Sequence, residues 1–137
     1  ELVERVHALG AERDLPVICF GHAGDGNLHF DVYADPDDAD EWDRARETYA
    51  DAVGVALDLD GTATGEHGIG RGKRGFMLAE HGADGVRAMQ AIKDALDPAG
   101  TLNPGKVLPD PDAGGDARTA TAGGGEADVA GDVDADD

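Results

Sequence analysis

Three features of this 137-residue chain predict an α+β fold. Asp25-Gly26 lies between two apolar runs, Pro16 to Phe20 and Leu28 to Tyr33, and Asp-Gly in that setting is among the strongest short hairpin signals. On both sides of this hairpin, apolar residues recur at helical spacing. The length is usual for one domain and short for two with substantial cores.

The first element predicted is a surface helix from Glu1 to about Asp14, with Leu2, Val3, Val6 and Leu9 on one face and Leu15-Pro16 closing it. His7 lies on it with no other candidate ligand nearby in sequence, so a solvated or packing histidine is expected there. Pro16-Val17-Ile18-Cys19-Phe20 is bounded by proline and glycine and reads as a short buried strand; the alternating run from Leu28 to Tyr33 is its return. Asp35-Pro36-Asp37-Asp38 is a loop that supplies an N-cap. The helix behind it runs to about Leu57 and turns Trp42, Ala45, Tyr49, Ala52, Val53 and Ala56 to the core. Helical segments follow at roughly 74–81 and 84–96, the second with Val86, Met89, Ile92 and Leu96 inward and Pro98 beyond its end. His81 closes the shorter one, either as a cation favoured by the helix dipole or simply exposed. Past Leu108 the chain is Gly, Ala, Asp, Thr and Pro with almost no large apolar residue, so residues 110–137 are expected to be a disordered acidic tail.

The formal charge is −19, with eleven excess negatives in residues 1–106 and eight in 107–137. Such a surface repels phosphate, which argues against nucleic acid or an anionic membrane as a partner. An aspartate-rich body whose only lysines are Lys73, Lys93 and Lys106 suits a protein working in high salt. No run of eighteen apolar residues and no signal-peptide pattern is present, so a cytoplasmic protein without a membrane span is expected. Cys19 is the single cysteine; among apolar neighbours it reads as an inert thiol.

The densest chemistry lies at the hairpin tip, Gly21-His22-Ala23-Gly24-Asp25-Gly26-Asn27-Leu28-His29. If Asp25-Gly26 is a two-residue type I′ turn, Gly24 opposes Asn27, Ala23 opposes Leu28 and His22 falls directly opposite His29. Opposed residues have Cβ atoms roughly 4.5–5.5 Å apart, close enough for two imidazoles to share one metal ion. The second rich stretch, from Asp60 to Gly70, places Thr62, Thr64, Glu66 and His67 among four glycines, a composition suited to backbone that something must approach closely.

Two further matches are rejected. Gly70 to Gly75 fits G-x-G-x-x-G by letters but lacks the preceding strand and the βαβ unit of a dinucleotide site. Gly100 to Lys106 resembles a phosphate loop, yet Val107 stands where Ser or Thr must bind magnesium.

GHAGDGNLH, GTATGEHGIG and LDPAGTLNPGK, in this order and over residues 1–108, resemble the C-terminal region of FAD-linked oxidases acting on D-2-hydroxy acids, the family of D-lactate dehydrogenases, the flavin subunit of glycolate oxidase and D-2-hydroxyglutarate dehydrogenase. The resemblance implies that residues 1–109 are the end of a ferredoxin-like α+β cap domain. The FAD-binding domain and the upstream half of the cap, which contacts the substrate carboxylate, would come from a parent protein. It further implies that His22, His29 and Glu66 ligate a divalent metal, zinc or manganese, and that His67 is the catalytic base. Asn27 and Asn103 would lie near flavin or substrate, with Gly65 leaving room for both. The implied substrate is a small 2-hydroxy acid such as D-lactate or glycolate; the electron acceptor is not implied. Asp31 stands where the 2-hydroxyglutarate enzyme has asparagine, which argues against that substrate.

Residue chemistry agrees. Two imidazoles and a carboxylate make an open site for a divalent ion. In an extended backbone Glu66 and His67 would point opposite ways, one to the metal and one to the flavin. A zinc hydrolase and a non-catalytic metal-binding module are the alternatives. The first lacks an H-E-x-x-H helix and the second has no use for His67.

Overall fold

The computed structural model describes residues 1–22 and 24–112. Among them are three helices and one two-stranded antiparallel sheet in the order α1 (Leu2–Glu12), β1 (Val17–His22), β2 (Asn27–Val32), α2 (Ala39–Asp58) and α3 (Phe76–Leu96), an α+β fold as expected. The chain divides into two compact units, the first being Glu1–Val55 and the second starting at Ala56. None of the described helices is long and apolar enough to cross a membrane. The expected tail lies, from residue 113 onward, outside the described residues.

In the first unit, α1 seats on β1 at Gly10. A Cβ there would lie 2.4 Å from Val17 Cγ2 and 2.8 Å from the Leu15 carbonyl, so only glycine lets helix and strand come this close. The helix ends in a left-handed reversal at Asp14 (φ 56°), with Leu15 N–H donating to the Gly10 carbonyl at 2.9 Å and Asp14 N–H to Ala11 at 3.4 Å, which satisfies two end carbonyls. The apolar residue after such a reversal packs back, and Leu15 is buried with Val32 of β2 and Ala45 of α2. Phe30 joins this core and meets Tyr49 in a tilted arrangement, ring centroids 5.2 Å apart at an interplanar angle of 34°. α2 starts as predicted: Asp38 Oδ1 accepts from the Asp40 and Glu41 N–H groups, both at 3.0 Å. Small buried residues, Ala45, Thr48, Ala52 and Val53, form its inner face. Arg13 and Asp51 tie the end of α1 to α2 through an ion pair.

The second unit opens on the same device. Asp60 is left-handed (φ 59°) and Gly61 N–H donates 2.8 Å to the Ala56 carbonyl. α3 is broken at Gly82 (φ 66°, ψ 171°), so it comprises two segments, as the spacing predicted. Phe76, Met77 and Val86 are buried. The expected inward Ile92 and Leu96 are instead 63 % and 78 % exposed. Periodicity marks an apolar face, but burying it also requires a neighbour, and among the described residues these last turns have outrun theirs.

After α3, the buried Asp97 carboxylate organises the exit turn. It accepts from Thr101 N–H (3.0 Å), Thr101 Oγ1 (3.2 Å) and Leu102 N–H (2.9 Å) and pairs with Lys93. These bonds to the charged form hold its pKa well below the usual carboxylate range. Asn103 takes a left-handed conformation (φ 46°) that asparagine tolerates, and Arg74 donates to the Gly105 carbonyl.

Candidate metal and proton-transfer residues

The hairpin is present, but its register differs from the expected one. His22 pairs with Asn27, Gly21 with Leu28 and Phe20 with His29, so His22 and His29 are diagonal neighbours and not direct partners. The cause is in the turn. A type I′ turn needs positive φ at both Asp25 and Gly26, and only Gly26 (φ 76°) has it. Asp25 instead accepts the Asn27 N–H on its side chain at 2.9 Å, while the His22 carbonyl takes the N–H of Gly26 at 3.1 Å and of Asp25 at 3.3 Å. The connection is thereby four residues long. A shift of two residues preserves which face each side chain occupies. His22 and His29 therefore still share a face, with ring centroids 5.6 Å apart in an edge-to-face arrangement.

Around this pair, Phe20 stacks on His29 at 5.2 Å and an interplanar angle of 17°, and Asp25 Oδ2 lies 3.7 Å from His22 Nδ1. The strands need Gly21 for their approach, since a Cβ there would fall 2.2 Å from the Asn27 carbonyl oxygen. Asn27 itself is the first residue of β2. Cys19, on the opposite face of β1, is half-buried, and that burial pushes its thiol pKa up, as fits an inert cysteine.

The second unit carries the other candidates. Gly65 (φ 52°) and Gly68 (φ 74°) curl the chain through Glu66 and His67. In consequence these neighbours do not diverge as an extended backbone would require; Glu66 Oε1 and His67 Nε2 are 3.6 Å apart. The expectation of opposite-pointing side chains is corrected by those two glycines. Asn103 stands in the turn held by Asp97. Sequence reasoning missed Glu80, whose carboxylate accepts from Thr62 Oγ1 at 2.6 Å and Ala63 N–H at 3.0 Å, and Lys73, whose Nζ lies 3.4 Å from the Thr64 carbonyl. Partial burial lowers the Lys73 pKa. No motif marks either residue, because each contact bridges nine or more positions.

The fold is thus α+β, with two imidazoles on one face of the hairpin and, in the second unit, a carboxylate beside an imidazole in a glycine-rich turn. The model of the FAD linked oxidases, C-terminal domain, matches residues 1–107, and the chain belongs to that family. It is 40% identical over 107 residues to the glycolate oxidase subunit GlcD of Bacillus subtilis (strain 168), covering 78% of this chain and 23% of that protein. It is 47% identical over 88 residues to a probable mitochondrial D-lactate dehydrogenase of Danio rerio (64% and 18%), and 42% identical over 88 residues to the mitochondrial D-lactate dehydrogenase [cytochrome] of Arabidopsis thaliana (64% and 16%). The chain thus spans less than a quarter of the length of these relatives.

Proposed function

We propose that residues 1–109 are the substrate- and metal-binding end of an FAD-dependent oxidoreductase that oxidises a D-2-hydroxy acid, D-lactate or glycolate, to the 2-oxo acid. The FAD-binding domain belongs to the remainder of the parent protein. The observation that carries the reading is the His22–His29 pair on one face of the hairpin, in a chain of the FAD-linked oxidase family.

The donor set fits a divalent ion. Zinc lies about 2.0–2.1 Å from an imidazole nitrogen, and two rings with centroids 5.6 Å apart can each offer one nitrogen to a shared ion. In this proposal Glu66 adds the third ligand, leaving positions for substrate, and the ion, zinc or manganese, supplies polarisation of the substrate hydroxyl. Hydride acceptance is the chemistry that bound FAD supplies.

This chain's own residues do the rest. His67 accepts the hydroxyl proton on one ring nitrogen. Asn27 and Asn103 orient the carboxylate end of the substrate or the flavin edge through their amides, and Gly65, lacking a side chain, allows close approach. Phe20 stacked on His29 restricts that ring's orientation. A cytoplasmic location fits the single unpaired thiol, Cys19.

The test is to purify the protein that carries this chain, record its visible spectrum, and assay a panel of D-2-hydroxy acids with an artificial electron acceptor. Bound flavin with turnover of D-lactate or glycolate is expected. A colourless protein inert toward the whole panel would overturn the reading.

A further inference from the structure

Glu80 lies in the first segment of α3, on the N-terminal side of the break at Gly82, and its side chain is only 14% exposed. Its two carboxylate oxygens are used separately. Oε1 accepts from Thr62 Oγ1 at 2.6 Å, and Oε2 accepts from the backbone N–H of buried Ala63 at 3.0 Å. Thr62 Oγ1 in turn accepts from Thr64 N–H at 3.3 Å, and Lys73 Nζ reaches the Thr64 carbonyl at 3.4 Å. Three consecutive residues are therefore tied down immediately before Gly65, Glu66 and His67.

We propose that Glu80 is the positioning residue of the Glu66–His67 turn; the choice of Glu66 and His67 as the groups that matter rests on the function proposed above. The physical need is plain from the sequence of the segment. Gly61, Gly65, Gly68 and Gly70 give the backbone of this stretch more freedom than residues with side chains would. A carboxylate and an imidazole that must act together cannot be carried on such a chain unless something rigid holds one end of it. α3 is that rigid element, and Glu80 is where it grips. Hydrogen bonds to an ionised carboxylate are roughly twice as strong as neutral ones, and only a carboxylate offers an acceptor on both of its terminal atoms. Glutamine would keep one acceptor and place an amide NH₂ against a second donor. His81 Nε2 is 3.7 Å from Glu80 Oε1 and Lys73 reaches the Thr64 carbonyl, but the acceptor that Ala63 N–H uses is Glu80 Oε2.

The experiment compares Glu80→Ala, Glu80→Gln and, as a charge control at an exposed site, Glu12→Gln with the wild type in the intact protein that carries this chain. Backbone amide exchange is followed by mass spectrometry, and zinc affinity by competition with a chelator. Expected is faster exchange confined to residues 61–70 in Glu80→Ala, a smaller increase in Glu80→Gln, and none in Glu12→Gln. Zinc affinity should fall about 10- to 100-fold in Glu80→Ala, the range typical of lost support around ligands, and recover in part in Glu80→Gln. Wild-type exchange over 61–70 in both Glu80 variants overturns the proposal. So does an increase spread evenly over the whole protein, which would mark Glu80 as a general stabiliser. Should Glu80→Ala fail to fold, Glu80→Gln against Glu12→Gln decides by the same criteria. A wild type that binds no zinc would remove Glu66 as a ligand, and the exchange pattern would still decide whether Glu80 holds the turn.

Discussion

His22 and His29 meet edge to face with ring centroids 5.6 Å apart, across a hairpin in which neither is the other's direct partner. Diagonal neighbours in an antiparallel pair are farther apart at the backbone than direct ones, yet within reach of aromatic side chains. Stacking of Phe20 on His29 takes up the direct position and fills that cross-strand slot.

The ion proposed for this pair is tested by metal content. The intact protein should contain about one zinc or manganese per chain, read by elemental analysis, as a structural consequence of one donor set. His22→Ala combined with His29→Ala removes two of three proposed ligands and should bring the content close to zero. Unchanged metal in the double variant would move the ion elsewhere.

Gly21 makes the pairing possible, and its replacement tests the register. Its Cβ position lies 2.2 Å from the Asn27 carbonyl oxygen, a backbone atom that cannot swing aside as a side-chain tip can. Gly21→Ala should therefore push the strand ends apart and destabilise the protein by about 1–3 kcal/mol, the usual cost of overpacking. Metal affinity should drop along with the thermal midpoint. Replacement of Gly24, whose Cβ position is open, is the comparison, and equal effects at both positions would contradict the observed pairing.

What could be read from residues alone divides along a physical line. Periodicity and turn composition are local, and they locate α1, the hairpin, α2 and the two segments of α3, and an N-cap within Asp35-Pro36-Asp37-Asp38, which the structure assigns to Asp38. Parity is also local, so the sequence places the two histidines on one face even though the observed register differs by two residues from the expected one. The register itself turned on whether Asp25 would enter the left-handed region or use its side chain to hold Asn27 N–H, and the letters Asp-Gly permit both. Glu66 and His67 illustrate the same limit, since the direction of neighbouring side chains depends on the φ values of Gly65 and Gly68. Glu80 lay beyond sequence reasoning altogether, because its partners are seventeen and eighteen positions away. Ile92 and Leu96 show the converse case, a periodic face whose cover the chain's own pattern cannot specify.

The Asp97 carboxylate gives the fold a testable acid dependence. Its pKa is depressed in the folded state, first by Lys93 and then by the Leu102 and Thr101 N–H groups. A depressed folded value means that its stabilising contribution is fully present above the unfolded carboxylate pKa of about 3.9 and is lost progressively as pH falls below it toward the lower folded value. Asp97→Asn should lower the thermal midpoint at pH 7, and the gap to the wild type should narrow as the pH is taken down to about 3. A gap that stays constant over that range would show that the charge on Asp97 is immaterial and only its shape matters.

His67 is the residue on which the proposed chemistry depends. It sits between Glu66 and Gly68 in a turn that Glu80 and Lys73 anchor from one side, and its Nε2 is 3.6 Å from Glu66 Oε1. That closeness admits two assignments, since either neighbour could ligate the ion while the other receives the proton. A carboxylate beside two imidazoles completes an open site and leaves His67 as the base, whereas three imidazoles would leave Glu66 in that role. Replacing a positioned base typically costs 10²–10⁴ in rate, so in the intact protein His67→Asn should lower kcat by roughly that factor. With Glu66 as the proposed ligand and His67 as the proposed base, flavin and metal contents should match the wild type. Glu66→Gln should show the complementary pattern, with metal lost first and activity lost as its consequence. If His67→Asn instead loses its metal while Glu66→Gln keeps the ion and loses only turnover, the two roles belong the other way round.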